Sequence, residues 1–184
     1  QLATYCGDDS LLGVHPESDL SGVDFSTGSL GHGLALAAGS ALAARRRGSS
    51  RRVFVLLSDA ELNEGSTWEA AAFAAHHGLT NLYAIIDVNG QQALGYTRDV
   101  LAIGNVAERF AAFGLDAREV DGHDVPAIRA AVDAAAHDPR PHVLVARTVF
   151  GRGVSYMQQG GVKWHYWPMN EAEYDQAMRE VAAT

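Results

Sequence analysis

A single cysteine, Cys6, leaves no intrachain disulfide possible, so an intracellular, cytoplasmic home is expected. Basic residues are also scarce: 14 Lys and Arg stand against 22 Asp and Glu, for a formal net charge of -8. That balance excludes a general nucleic-acid binder, whose phosphate contacts call for Lys and Arg. No apolar run approaches the roughly 20 residues of a membrane-spanning helix, and no signal-peptide pattern opens the chain. Aromatics make up only 8% of residues while the hydrophobic share is 47%, which favours close packing through alanine. At 184 residues the chain suits one domain, residues 1–184, large enough to bury a real core. Gln1 opens a stretch that reads like the middle of a domain, so an N-terminal part is expected to be absent.

The stretch Val53 to Gly95 organises the rest. Two apolar runs, Val53–Leu57 and Leu82–Val88, read as buried parallel strands joined by a helix from about Ser66. Trp68, Ala72, Ala75 and Leu79 supply that helix with an apolar face. A βαβ crossover is right-handed almost without exception, so Asp59 after the first strand and Asn89 after the second reach the same sheet edge. Open α/β sheets hold their ligands at that carboxyl edge. A carboxylate, an amide oxygen and neighbouring carbonyls make an all-oxygen cation site suited to Mg²⁺ or Ca²⁺ and a phosphate-bearing ligand.

The flanking segments continue the alternation. Gln1–Ser26 reads as an irregular connector whose unusual feature is His15-Pro16-Glu17, a loop histidine that by itself suits a surface role. Ser26–Gly33 (STGSLGHG) is expected to open a helix carrying Leu30, Leu34, Ala37 or Ala38, and Ala41, closed at Gly48. Arg45–Arg47 with Arg51 and Arg52 fit a solvated helix end better than a phosphate patch. His76 and His77 lie at the far end of their helix and read as surface groups. Beyond the loop Gln91–Leu101 come a helix from Asn105, a strand Leu115–Val120, a helix Val125–His137 capped by Asp124 and a strand Val143–Val149. Phe150–Met169 reads either as a binding loop or as a surface excursion, and Asn170 with Glu173 starts a last helix to about Ala182. The pattern predicts an α/β fold: a doubly wound, mostly parallel sheet with helices on both faces.

Four segments resemble the thiamine-diphosphate-binding N-terminal domain of transketolases. HPE at His15–Glu17 is similar to the family's GHPE, and STGSLGHG to its TTGPLGQG. SDAELNEG with Asn89, thirty positions after Asp59, resembles the GDG…N motif. FGRGVSYM…WHY resembles the closing IGxGv…H segment, and VDGHD at Val120–Asp124 matches as well. The resemblance spans nearly the whole chain in the right order.

It implies that Asp59, Asn89 and the Gln91 carbonyl bind Mg²⁺ or Ca²⁺, with Ala60 and His165 against the cofactor's diphosphate. Gly28 and Leu30 would lie against its rings, and Ser58, Glu61 and Phe150 complete the cofactor-binding set. Catalytic roles are implied for His15 near the donor ketose, for His165, and for Glu64 at a subunit interface. The implied reaction moves a two-carbon ketol unit from a ketose donor to an aldose acceptor. The family's pyrimidine-binding domain does not follow Thr184, so the resemblance points to a split transketolase. Its partner would be a C-terminal subunit, in a heterotetramer acting on sugars or sugar phosphates. Related thiamine-diphosphate enzymes of the deoxyxylulose-phosphate synthase or 2-oxoacid dehydrogenase type are the alternative, as is a degenerate, non-catalytic subunit. Ser58 and Ala60, where the family has glycines, motivate the last; a positive φ at Ala60 would cost roughly 1 kcal/mol. His32 also departs from the family's usual glutamine.

Overall fold

Four parallel strands carry the architecture: β1 Val53–Ser58, β2 Leu82–Val88, β5 Asp116–Asp121 and β6 His142–Arg147, in the order β1-β2-β6-β5. The chain is a computed structural model describing residues 2–183, so Gln1 and Thr184, the bounds read for the connector and for the domain, lie outside the described residues. Between β2 and β5 a short antiparallel hairpin, β3 Gln91–Gln92 with β4 Gly95–Tyr96, leads into helix α3 Thr97–Val100. The other helices are α1 Gly33–Arg46, α2 Gly65–His76, α4 Val106–Ala112, α5 Val125–Ala135, α6 Ser155–Gln159 and α7 Glu171–Ala182. Among the described residues no helix is long and apolar enough to cross a membrane.

The two faces of the sheet are covered differently. Leu57, Leu82, Ala84, Ile86, Val143 and Val145 form one buried cluster with α1, α2 and α4. Small residues on α1 (Ala37, Ala38, Ala41) and α2 (Ala70, Ala71, Ala74) let those helices approach closely. Phe110 of α4 seals the cluster, its ring 4.9 Å from that of Trp68. On the opposite face α5 packs against β5 and β6, with Ala131, Val132 and Ala135 over Tyr83, Ile85 and Leu144. Helices therefore lie on both faces, as the strand–helix alternation predicts.

Several expectations need correction. Among the described residues β1 is an edge strand rather than a doubly buried one: Phe54 and Leu56 remain 49% and 72% exposed, because α5 covers the far half of that face. Residues 26–32 form a loop, and α1 starts at Gly33. Gly28 and Gly31 adopt φ of +101° and +84°, which no helix contains. Leu30 is therefore off the helix and exposed. On α2 the buried face runs through Thr67, Ala70, Ala71 and Ala74, while Ala72 points to solvent. Gln91–Leu101 is the hairpin and α3 rather than an open loop, and Phe150–Met169 folds into α6 and a 3-10 helix, Gly161–His165. Arg45 caps a neighbouring helix end: its Nη1 donates to the carbonyls of His77 and Gly78 just beyond α2.

The local signals fare better. Asn105, Asp124 and Asn170 each accept a backbone N–H three residues on, and Asn170 with Glu173 closes a reciprocal capping box. Phe110→Ala removes a fully buried ring from the joint of α2 and α4 and should cost about 3–5 kcal/mol in urea unfolding.

Candidate functional site

β1 ends at the carboxyl edge of the sheet and passes directly into a 3-10 helix, Asp59–Asn63, whose N-cap Ser58 accepts the Glu61 N–H on its Oγ. The tight turn drives Asp59 inward, where it is 1% exposed. Its Oδ2 accepts the Gly90 N–H at 2.8 Å and the Thr97 hydroxyl at 3.1 Å. Its Oδ1 is buried with no partner. Burial holds the Asp59 carboxyl above the usual carboxylate range, against the lowering pull of the Gly90 and Thr97 donors. A buried carboxylate oxygen without a donor is costly unless a cation or water meets it.

Asn89 and Gln91 stand beside it. Gly90 turns the chain at the end of β2, and the Asn89 Oδ1 accepts the Gln91 N–H at 2.9 Å. The Thr97 N–H returns to the Gly90 carbonyl at 3.0 Å, so the hairpin folds back over Asp59. β3 packs against both the Asp59–Asn63 turn and the 3-10 helix ending at His165. One cluster of elements thus joins Asp59, Ala60, Gln91 and His165. Among the described residues no group of three or more His, Cys, Asp or Glu side chains is arranged to hold a metal ion, so a cation here would rest on one carboxylate with amide and carbonyl oxygens. Asn89, Gln91 and the orphaned Asp59 Oδ1 fit a hard divalent cation.

The glycine loop brings in a second group. The imidazole of His15 lies against Gly28: a Cβ built there would stand 2.7 Å from its Cδ2. Thr27 anchors this contact, both its N–H and its hydroxyl donating to the Pro16 carbonyl. Leu30 presents an exposed apolar side chain from the same loop, and Glu64 is exposed at the N-cap of α2. His165 is exposed too, its ring 6.3 Å from Phe150 in a stacked arrangement. Ala60 sits within the 3-10 helix and is not among the residues with positive φ, so its methyl brings none of the strain that a glycine-to-alanine change can carry.

Two roles are not legible in the sequence. Thr97 holds Asp59 from 38 positions away, and no local pattern marks it. In the VDGHD segment, His123 accepts the Val149 N–H on Nε2 and fixes the exit of β6 toward the Phe150 segment.

Two variants probe this geometry. Because the folded state holds the Asp59 proton longer than the unfolded chain, stability is lost as pH rises from 3.8 through the raised folded value. Asp59→Asn removes that loss while keeping an oxygen for Gly90 and Thr97. The ligand-free variant should therefore melt higher than wild type at neutral pH and match it more closely at acid pH. Gly28→Ala forces a methyl into His15 at positive φ. It should cost roughly 1–2 kcal/mol and shift the His15 ring signals in NMR spectra.

The family model "Transketolase, thiamine diphosphate binding domain" matches residues 1–183. An apulose-4-phosphate transketolase subunit of Actinobacillus succinogenes is 39% identical over 98% of this chain and 65% of its own length. A 6-deoxy-6-sulfo-D-fructose transketolase subunit from a Clostridium species is 32% identical over 87% of this chain and 58% of its own. The chain thus spans less than two thirds of the length of these relatives. The crystal structure of Campylobacter jejuni transketolase superposes with a TM-score of 0.90 at 28% identity, over 98% of this chain and 29% of that one. The buried Asp59, the Asn89–Gln91 turn and the glycine loop over His15 therefore sit in a known frame: the chain belongs to the transketolase family, in its thiamine-diphosphate-binding domain.

Proposed function

We propose that this chain is the diphosphate-binding, N-terminal subunit of a transketolase that moves a two-carbon ketol unit from a ketose to an aldose. The observation that carries the reading is the buried Asp59 with its unpartnered Oδ1 beside Asn89 and Gln91. Those three residues would hold Mg²⁺ or Ca²⁺, Gln91 through its carbonyl, and the cation would neutralise a diphosphate that a buried carboxylate otherwise repels. Thiamine diphosphate, when bound, supplies the electron sink for breaking the bond between the second and third carbons of the donor.

The chain's own residues then divide the work. The Ala60 backbone and His165 would contact the diphosphate, and Ser58, Glu61 and Phe150 would complete the cofactor-binding set. Gly28 and Leu30 would lie against the rings, and a side chain at position 28 would displace His15. His15 would face the donor near its first carbons, where an imidazole can pass a proton to or from a reacting group. Glu64, exposed at the start of α2, would meet a glutamate of a partner polypeptide carrying the pyrimidine-binding domain. The names of two relatives as transketolase subunits support a split enzyme, with two copies of each half as its natural assembly. The phosphate in one of those names favours a phosphorylated sugar as substrate. The unstrained backbone at Ala60 weakens the alternative of a degenerate, non-catalytic chain, and the lone cysteine supports the expectation of a cytoplasmic home.

Calorimetric titration of thiamine diphosphate with Mg²⁺ into the chain and its partner tests the proposal. Binding should require the metal, and Asp59→Ala should weaken it by at least about 100-fold, in line with loss of a charged ligand. Equal binding by wild type and Asp59→Ala would sink the assignment.

A further inference from the structure

Gly31 is held at its N–H and its carbonyl by the 3-10 helix that begins at Asp59 and by α2, which follows it. Its N–H donates to the Glu61 Oε2 at 3.1 Å, and its carbonyl accepts the Ser66 hydroxyl at 2.9 Å. Glu61 stands in the 3-10 helix two residues after Asp59, and Ser66 in the first turn of α2. Among the described residues, these are the hydrogen bonds joining residues 26–32 to residues 58–66. The other ties of that loop, from Thr27 to Pro16 and from Ser26 to Ser18, run to the irregular N-terminal segment.

The grip is tight as well as polar. Gly31 is buried at φ +84°, and a Cβ there would lie 2.4 Å from the Ser66 Oγ and 2.8 Å from the Glu64 Cβ. Only glycine fits, and it fits because Ser66 and Glu64 close on it. The backbone of Glu61 is itself pinned: its carbonyl accepts the hydroxyl of the fully buried Thr67 at 2.8 Å. Thr67 thus fixes the backbone from which the Glu61 carboxylate reaches Gly31.

We propose that Glu61 and Ser66 are positioning residues: together they clamp Gly31 and so fix the Gly28–Leu30 segment at a set height above the Asp59 turn. The proposal deepens the preceding reading, in which that segment lies under the rings of thiamine diphosphate while the turn holds its diphosphate. One clamp then sets the distance between the two ends of the cofactor site. Two bonds on a single residue fix orientation as well as position, because its N–H and C=O point apart.

The test compares wild type, Glu61→Gln, Glu61→Ala and Ser66→Ala, each with the partner subunit. Amide hydrogen exchange across residues 27–32 is read without cofactor, and thiamine diphosphate affinity is read with saturating Mg²⁺. Glu61→Gln keeps an acceptor oxygen for the Gly31 N–H and should exchange within about twofold of wild type across 27–32. Glu61→Ala and Ser66→Ala should each exchange roughly fivefold to tenfold faster across 27–32 and lose a similar factor in affinity, the equivalent of one hydrogen bond. Exchange in β2 and β6 should not change, which separates a local clamp from general loosening. Unchanged exchange in Glu61→Ala, or faster exchange with unchanged affinity, would overturn the proposal. Should Glu61→Ala fail to fold, Ser66→Ala decides by the same two readouts. Faster exchange in the variants, with a wild type that binds no thiamine diphosphate, would overturn the cofactor reading and leave the clamp standing.

Discussion

A carboxylate buried at the end of a parallel strand is the constraint on which the rest of this site depends. Asp59 gives one oxygen to the Gly90 amide and the Thr97 hydroxyl and leaves the other without a donor. Burial alone would favour the protonated acid, as the raised pKa direction records. The fold accepts that cost at one position only because the surrounding elements are arranged to exploit it. The Asn89 turn, the β3–β4 hairpin and the 3-10 helix ending in His165 all close on the same point. A cation there would turn an unfavourable burial into the strongest electrostatic feature of the sheet edge.

The glycine loop is the second component, and it is built the opposite way. Asp59 is held by a rigid strand and turn, whereas residues 26–32 are draped over that turn and attached through Gly31. The positive φ of Gly28 and Gly31 lets the backbone come close to His15 on one side and to Ser66 and Glu64 on the other. Two histidines singled out by the family resemblance, His15 and His165, then stand on segments bordering one site. Each lies on irregular structure positioned by the scaffold, where binding and catalytic groups commonly sit.

Much of the fold is legible in the sequence because its signals are local. Apolar runs of strand length, the caps at Asn105, Asp124 and Asn170, and strict strand–helix alternation each act within a few residues. The meeting of Asp59 and Asn89 is legible for a different reason: crossover handedness constrains two strand ends before any packing is known. The start of α1 is misleading in sequence because helical spacing of Leu30 and Leu34 continues into a segment whose glycines take positive φ. Ala72 misleads because alanine is apolar enough for either face, and packing against α1 chose Ala70, Ala71 and Ala74 instead.

From the sequence alone come the parallel α/β class, the shared sheet edge of Asp59 and Asn89, and the family resemblance of its motifs. Chirality, periodicity and turn chemistry act over short spans, so they can be read from residues in a row. Tertiary structure alone decided that β1 lies at the edge among the described strands, that Thr97 and Gly90 hold Asp59, and that Glu61 and Ser66 grip Gly31. Each of these rests on contacts between residues 30 or more positions apart in sequence, or on which strand lies beside which. Such contacts follow from the joint packing of all the elements, which no single stretch of the sequence encodes.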